Sequence, residues 1–254
     1  MSLEARIANT KDEIRASFAR FAHEDVRAPS TEVSDSMCMI IAPKSENLKK
    51  ISTTISCGGV IAFRTDTFYG LGGDPFNRAA ISRIKELKGR EDRKPILIVI
   101  SDYHQLHRFI EDLSPGFDHL AKTFWPGALT LIGKSRAEVP DEITAGTNSI
   151  GVRLPDDEQV CDLVRACGGA LTATSANPSH LPPAARAQQV ADYFGDRVDL
   201  IVDDGEAKSQ LPSTVVDAVS QPKLIREGII SWAEIQAALK TVQNSEGMCQ
   251  NRLR

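Results

Sequence analysis

Five cations fall within ten residues of the chain: Lys85, Lys88, Arg90, Arg93 and Lys94. Lys85 and Lys88 share one helix face at i, i+3 spacing, and the others sit in the loop before the apolar run ILIVI. Arginine supplies a planar fork and lysine a compact point charge, so converging cations of this kind suit a polyphosphate. The plainer reading is a solvated charged turn. A second signal is Arg153, late in the apolar run SIGVRL, because arginine in such a run needs an anion or a cleft. Two further runs, RTDTFYGLGGDP (64–75) and LTATSANPS (171–179), carry Thr65, Thr67, Thr174, Ser175 and Asn177. Their hydroxyls and amide suit a ligand, yet such groups also satisfy backbone at turns. Trp125 of FWPGALTLI reads as a core or rim aromatic. LPSTVVDAV and LIREGII close the series, the latter placing Arg226 at a strand end.

Several chemistries lack their signatures. There is no G-x-x-x-x-G-K-[ST] loop, no G-x-G-x-x-G after the first strand and no G-x-S-x-G elbow. Phosphates, if handled, are handled by side chains. His104 and His107 form a pair at helical spacing without a further ligand candidate, so no metal site is expected. The five cysteines include no C-x-x-C pair, which fits a reducing cytoplasm better than a disulfide framework or a zinc site. The formal charge is −4, so the whole surface is not a nucleic-acid magnet. No apolar run reaches a membrane-spanning length and the N-terminus has no secretory h-region.

These residues need elements to hold them. VIAFR (60–64), ILIVI (96–100), LTLIG (129–133), SIGVRL (149–154), ALTAT (170–174), LIVDD (200–204), STVVDAV (213–219) and KLIR (223–226) read as strands. Helical patterns lie between them at 45–56, 78–88, 156–167, 184–194 and 231–239, with Ser45 and Asn77 as N-terminal caps. Strands separated by helices predict an α/β class: a twisted, open, mixed sheet flanked by helices, with a deep cleft. Residues 1–36 read as an amphipathic helix and a Pro/Ser/Thr-rich linker appended to a domain at 37–242, and 243–254 as a frayed tail.

Taken in order, the segments resemble the YrdC-like family of threonylcarbamoyl-AMP synthases. The resemblance rests on Thr65-Asp66-Thr67-Phe68-Tyr69-Gly70-Leu71, on Gly89 to Ile96 after Lys85 and Lys88, and on Trp125-Pro126-Gly127-Ala128-Leu129-Thr130. It extends through Val152–Pro155, Thr174–Asn177, Ser213–Asp217 and Arg226–Gly228, and covers about residues 45–240. It implies a synthase that joins L-threonine, bicarbonate and ATP into threonylcarbamoyl-adenylate, releasing pyrophosphate, for modification of tRNA. By the same resemblance Thr67, Lys94, Arg153 and Thr214 surround threonine, with Arg153 on its carboxylate. Lys85, Lys88, Arg90, Thr130, Thr174, Ser175, Asn177 and Arg226 surround ATP, and Lys88, Arg90 and Lys94 carry the catalysis. Magnesium is carried in with ATP, no protein metal site is implied, and a separate transferase passes the group to tRNA. Asp66 either contacts metal or holds its loop, the structural role being preferred. Arg64 stands where the family usually has proline, adding a charge at the cleft mouth or changing the turn. His180 stands where glycine is common. The chain reads as the short form, without the extra C-terminal domain of longer relatives. A different class, a non-catalytic nucleotide- or structured-RNA-binding paralogue using the same basic face, is disfavoured by the net charge and by Arg153. A carbamoyl-handling domain of hydrogenase maturation proteins would carry flanking regions that this sequence lacks.

Overall fold

The computed structural model describes residues 39–89, 94–209 and 211–250, with side chains as far as residue 241. The appended segment 1–36 and Arg90 lie outside the described residues. In chain order the elements are β1 (Ile40–Ile41), α1 (Ser45–Ser56), β2 (Ile61–Arg64), β3 (Tyr69–Gly72), α2 (Arg78–Lys88), β4 (Ile98–Ile100), α3 (Pro115–Phe124) and β5 (Leu129–Lys134). They continue as α4 (Asp141–Thr144), β6 (Ser149–Arg153), α5 (Glu158–Ala166), β7 (Ala170–Thr172), β8 (Thr174–Ser175), α6 (Ala187–Phe194), β9 (Leu200–Val202), β10 (Thr214–Asp217), β11 (Lys223–Arg226) and α7 (Trp232–Gln250).

The class is mixed α/β, and the strands divide between two mixed sheets, ordered β1-β9-β2-β3-β8 and β11-β10-β5-β6-β4-β7. Within the first, β2 runs parallel to β9 and antiparallel to β3. Within the second, β10 lies parallel to β5 and antiparallel to β11, while β6 pairs antiparallel to β5 and parallel to β4. Each of the eight apolar runs read as strands contributes at least one, and ALTAT reaches into both β7 and β8.

Two hydrophobic clusters explain why β2 and β4 lack polar alternation. Successive strand residues face opposite sides: Ala62 and Ile98 enter the larger cluster, Phe63 and Val99 the smaller. Both faces are therefore dry. Ile51 and Ile55 of α1 cap the smaller cluster with Val160 and Val164 of α5, and each such side chain stabilises by about 1.5–3 kcal/mol.

Local chemistry sets the helix starts. Asn77 Oδ1 accepts from Ala80 N at 3.0 Å and begins α2, as the sequence predicts. Ser45, expected to cap α1, is instead its first helical residue, and Lys44 occupies the cap position without a side-chain bond. Helix α3 was not foreseen from periodicity. It starts at Ser114, whose hydroxyl accepts from Phe117 N at 3.1 Å, with Pro115 in the first turn, where a missing N–H costs nothing. Helix α7 runs on to Gln250, past the expected end at residue 239.

Strand β3, Tyr69-Gly70-Leu71-Gly72, is another element absent from the sequence reading, because its glycines suit a turn. The turn lies earlier: Thr65 N donates to Phe68 O at 3.0 Å, and Thr65 Oγ1 donates to the same carbonyl at 2.7 Å. Gly72 belongs in the strand because a Cβ there would stand 2.6 Å from the Phe63 ring. Without a side chain at Gly72, that ring has room across the hairpin.

Candidate active site

A cavity of about 430 Å³ takes its wall from both sheets. The first sheet contributes Thr65, Thr67 and Phe68 of the β2–β3 turn, Tyr69 and Gly70 of β3, and Thr174 and Ser175 of β8. From the second come Pro95 and Leu97 ahead of β4, Arg153 at the end of β6, Pro212 and Ser213 ahead of β10, and Arg226 at the end of β11. Segments that the sequence separates by up to 161 residues (226 minus 65) thus meet at one void.

Arg153 is 6% exposed. Its Nη1 lies 3.0 Å from Asp66 Oδ1 and donates to Thr67 Oγ1 at 3.3 Å. Burial holds its pKa below the usual arginine value, with the Asp66 charge opposing. Arg226 is also shifted down, first by loss of solvent and then by the positive charge of Arg153. Its Nη2 donates to Ser213 O at 2.9 Å, and Ser213 Oγ lies 3.0 Å from Thr130 Oγ1. A guanidinium that meets the positive charge of a second one has the electrostatics that suit an anion. Asp66 is shifted up, burial outweighing the pull of Arg153.

Of the residues expected at the site, Thr67, Arg153, Thr174, Ser175 and Arg226 line the cavity together. Thr130 stands one layer behind it, through Ser213. Lys88 and Asn177 lie outside the lining and bind each other. Lys88 Nζ donates to Ser175 O at 2.6 Å, Asn177 O at 2.8 Å and Asn177 Oδ1 at 3.2 Å, so it holds the Ser175–Asn177 turn against α2. Lys85 is buried on the same helix and also outside the lining, and Lys94 is exposed beside the lining residue Pro95.

Two expectations need correcting. Thr214, assigned to threonine, is fully buried and absent from the lining. Its hydroxyl donates to Ile230 O and accepts from Gly228 N at 3.0 Å and Ile230 N at 3.1 Å, which pins the chain after β11. Arg64 is not at the cleft mouth. It is 3% exposed and donates to Asp157 Oδ2 at 2.9 Å, to the Asp204 carbonyl at 2.9 Å and to the Asp204 carboxylate. Strand alternation turns it away from Thr65, which faces the cavity. His180, in the glycine-like position, has φ 73°.

Among the lining residues, Phe68, Pro95, Leu97, Ala173, Pro183 and Pro212 were not read as site residues, because an apolar residue in a wall looks like one in a core. Among the described residues no group of three His, Cys, Asp or Glu gathers to hold a metal ion, and no helix is long and apolar enough to cross a membrane.

A family model described as Sua5_yciO_yrdC, Telomere recombination, matches residues 53–228. The chain belongs to this family. Its relatives include a threonylcarbamoyl-AMP synthase of Pyrococcus abyssi, 35% identical over 187 residues that make up 73% of this chain and 55% of the relative. Another, of Marinobacter nauticus, is 36% identical over 180 residues, 70% of this chain and 95% of the relative. The chain thus spans about half the archaeal relative and nearly all of the bacterial one. The structure of Pyrococcus abyssi Sua5 complexed with L-threonine superposes with a TM-score of 0.76 at 32% identity, covering 80% of this chain and 61% of that one. The family match takes in every cavity-lining residue, from Thr65 to Arg226.

Proposed function

We propose that this member of the Sua5/YciO/YrdC family is an L-threonylcarbamoyladenylate synthase, a nucleotidyltransferase. It forms threonylcarbamoyl-AMP and pyrophosphate from L-threonine, bicarbonate and ATP, for the threonylcarbamoyladenosine modification of tRNA. The observation that carries the reading is Arg153: a buried guanidinium in a cavity wall, hydrogen-bonded among the described residues through Nη1 alone, in a family whose relatives are named for this activity.

The threonine carboxylate pairs with Arg153 and its neighbourhood is completed by Thr67. The threonine amine, once deprotonated, adds to carbon dioxide from bicarbonate and becomes a carbamate. A carbamate oxygen then attacks the α-phosphorus of ATP, and the bond to the β-phosphate oxygen breaks to release pyrophosphate. The chain's work is to hold two anions together and offset charge at the transferring phosphorus. Arg226, with Ser213 and Thr130 behind it, faces the nucleotide, and Ser175 with Thr174 lines the opposite wall. Lys88 fixes the Ser175–Asn177 turn against α2, so its contribution is to shape that wall. Lys94, beside Pro95, adds positive charge at the cavity, and Arg90 is assigned to the same catalysis by the family resemblance alone. Magnesium enters on the triphosphate as part of that substrate. A separate transferase carries the product's threonylcarbamoyl group to tRNA, and the site of action is the cytoplasm.

The test is pyrophosphate release by the purified chain with ATP, magnesium and bicarbonate, with and without L-threonine. Threonine-dependent release that disappears in Arg153→Ala is the expected result. ATP binding without threonine-dependent release overturns the synthase reading and favours a nucleotide- or RNA-binding paralogue.

A further inference from the structure

The cavity lining holds two arginines and no carboxylate, but one acid stands directly behind it. Asp66 lies between the lining residues Thr65 and Thr67, its Oδ1 3.0 Å from Arg153 Nη1 and its side chain 8% exposed. Distance and direction disagree at this pair. The contact is short enough for an ion pair, yet among the described residues neither Asp66 oxygen receives a well-aligned hydrogen bond from another residue, and neither is accessible to water. Leaving a carboxylate in that condition is costly, and the synthase reading gives it no task.

The other buried arginine shows what a purely structural pair looks like. Arg64 donates from Nε, Nη1 and Nη2 to Asp204 and Asp157, leaving no guanidinium nitrogen idle. Among the described residues, Arg153 donates only from Nη1, to Thr67. Asp66 therefore offsets the charge of Arg153 while leaving its outward donors for a ligand. Among the described residues, Asp66 is the acid whose charge opposes the cost of burial at Arg153.

We propose that Asp66 is a specificity-determining residue that makes this subsite select zwitterionic amino acids over simple anions. The proposal rests on Arg153 receiving the amino acid's carboxylate. A zwitterion held there carries its ammonium one carbon away, inside the field of Asp66, so the attraction and the repulsion that Asp66 exerts on it largely cancel. A phosphate or a hydroxy acid has no ammonium and meets repulsion alone. Charges several ångströms apart in a medium of effective dielectric ~20 differ enough for about a tenfold effect on affinity.

The experiment is calorimetric titration of the full chain, without nucleotide, with three probes: L-threonine, β-hydroxybutyrate (threonine without its amine) and inorganic phosphate. In Asp66→Asn, β-hydroxybutyrate and phosphate should bind about tenfold tighter, L-threonine should change less, and the preference for threonine should collapse. Asp66→Ser, a second neutral replacement, should do the same. A damaged fold weakens all three probes and cannot tighten two of them. An unchanged preference in both variants, or a uniform loss in both, overturns the proposal while leaving the synthase reading intact. Failure of the unaltered chain to bind L-threonine while still binding phosphate overturns the amino-acid assignment of Arg153, and the selectivity proposal falls with it.

Discussion

Arg64 and Asp157, 93 residues apart in sequence, meet at 2.9 Å with each side chain only 2% exposed. Asp157 also accepts from Lys208 Nζ at 2.8 Å and begins α5 by accepting from Val160 N at 3.4 Å. Arg64 reaches Asp204 on its other side. One guanidinium thus ties β2, α5 and the segment after β9 that leads to the cavity wall at Pro212. Arg64→Met strips Asp204 of its guanidinium partner and leaves the buried Asp157 with Lys208 alone. We expect a loss of about 3–5 kcal/mol, read by denaturant unfolding; a loss under 1 kcal/mol would reduce the network to surface-like pairing.

The same network sets an acid limit on stability. Burial pushes the Asp157 carboxyl up, but hydrogen bonds from Lys208 and Arg64 outweigh it and hold the carboxyl below the ordinary aspartate value. A carboxyl depressed in the folded state contributes stability that is present above the unfolded aspartate value, about 3.9, and lost as pH falls through the folded one. The melting temperature should therefore drop as the medium is acidified below about pH 4. Asp157→Asn should melt lower at neutral pH and show a shallower acid decline. Parallel acid limbs in the two proteins would remove Asp157 from the explanation.

Gly228 offers a mechanical test of the cavity wall. A Cβ at that position would stand 2.1 Å from Pro212 O and 2.6 Å from Ser213 C. Both obstacles are backbone, so the wall must move rather than a side chain rotate. Gly228→Ala should cost about 1–3 kcal/mol and displace Ser213 from Arg226 and Thr130. Threonine-dependent pyrophosphate release should fall more than the lost folded fraction explains. Normal release in a folded variant would show that the Ser213 side of the cavity tolerates displacement.

The strands were legible because an apolar run stopped by glycine, proline or charge says the same thing wherever its partners lie. Arg153 was legible because a charge in such a run is expensive unless something uses it. The cleft-mouth alternative for Arg64 fails because its partners, Asp157 and Asp204, lie 93 and 140 residues away and leave no local trace. Thr214 was misplaced for a related reason. Its motif neighbour Ser213 reaches the cavity, and strand alternation carries Thr214 into the packing beneath Ile230. Strand β3 was hidden by its own glycines, whose value lies in what they allow Phe63 to do across the hairpin.

His180 provides a prediction in the stabilising direction. Its φ of 73° puts a side-chain-bearing residue in the left-handed region, where a Cβ costs roughly 1–2 kcal/mol. The neighbouring turn is held by other atoms: Asn177 Nδ2 donates to Pro178 O at 3.0 Å and to Leu181 O at 2.6 Å, and Leu181 N donates to Pro178 O at 3.2 Å. None of these bonds uses the His180 side chain. His180→Gly removes the strain, while glycine's greater freedom in the unfolded chain takes back roughly 0.5–1 kcal/mol. The net expectation is a gain of up to about 1 kcal/mol in urea unfolding, with threonine-dependent pyrophosphate release unchanged. A clear loss of stability would mean that the imidazole contributes more to this turn than its backbone strain takes away.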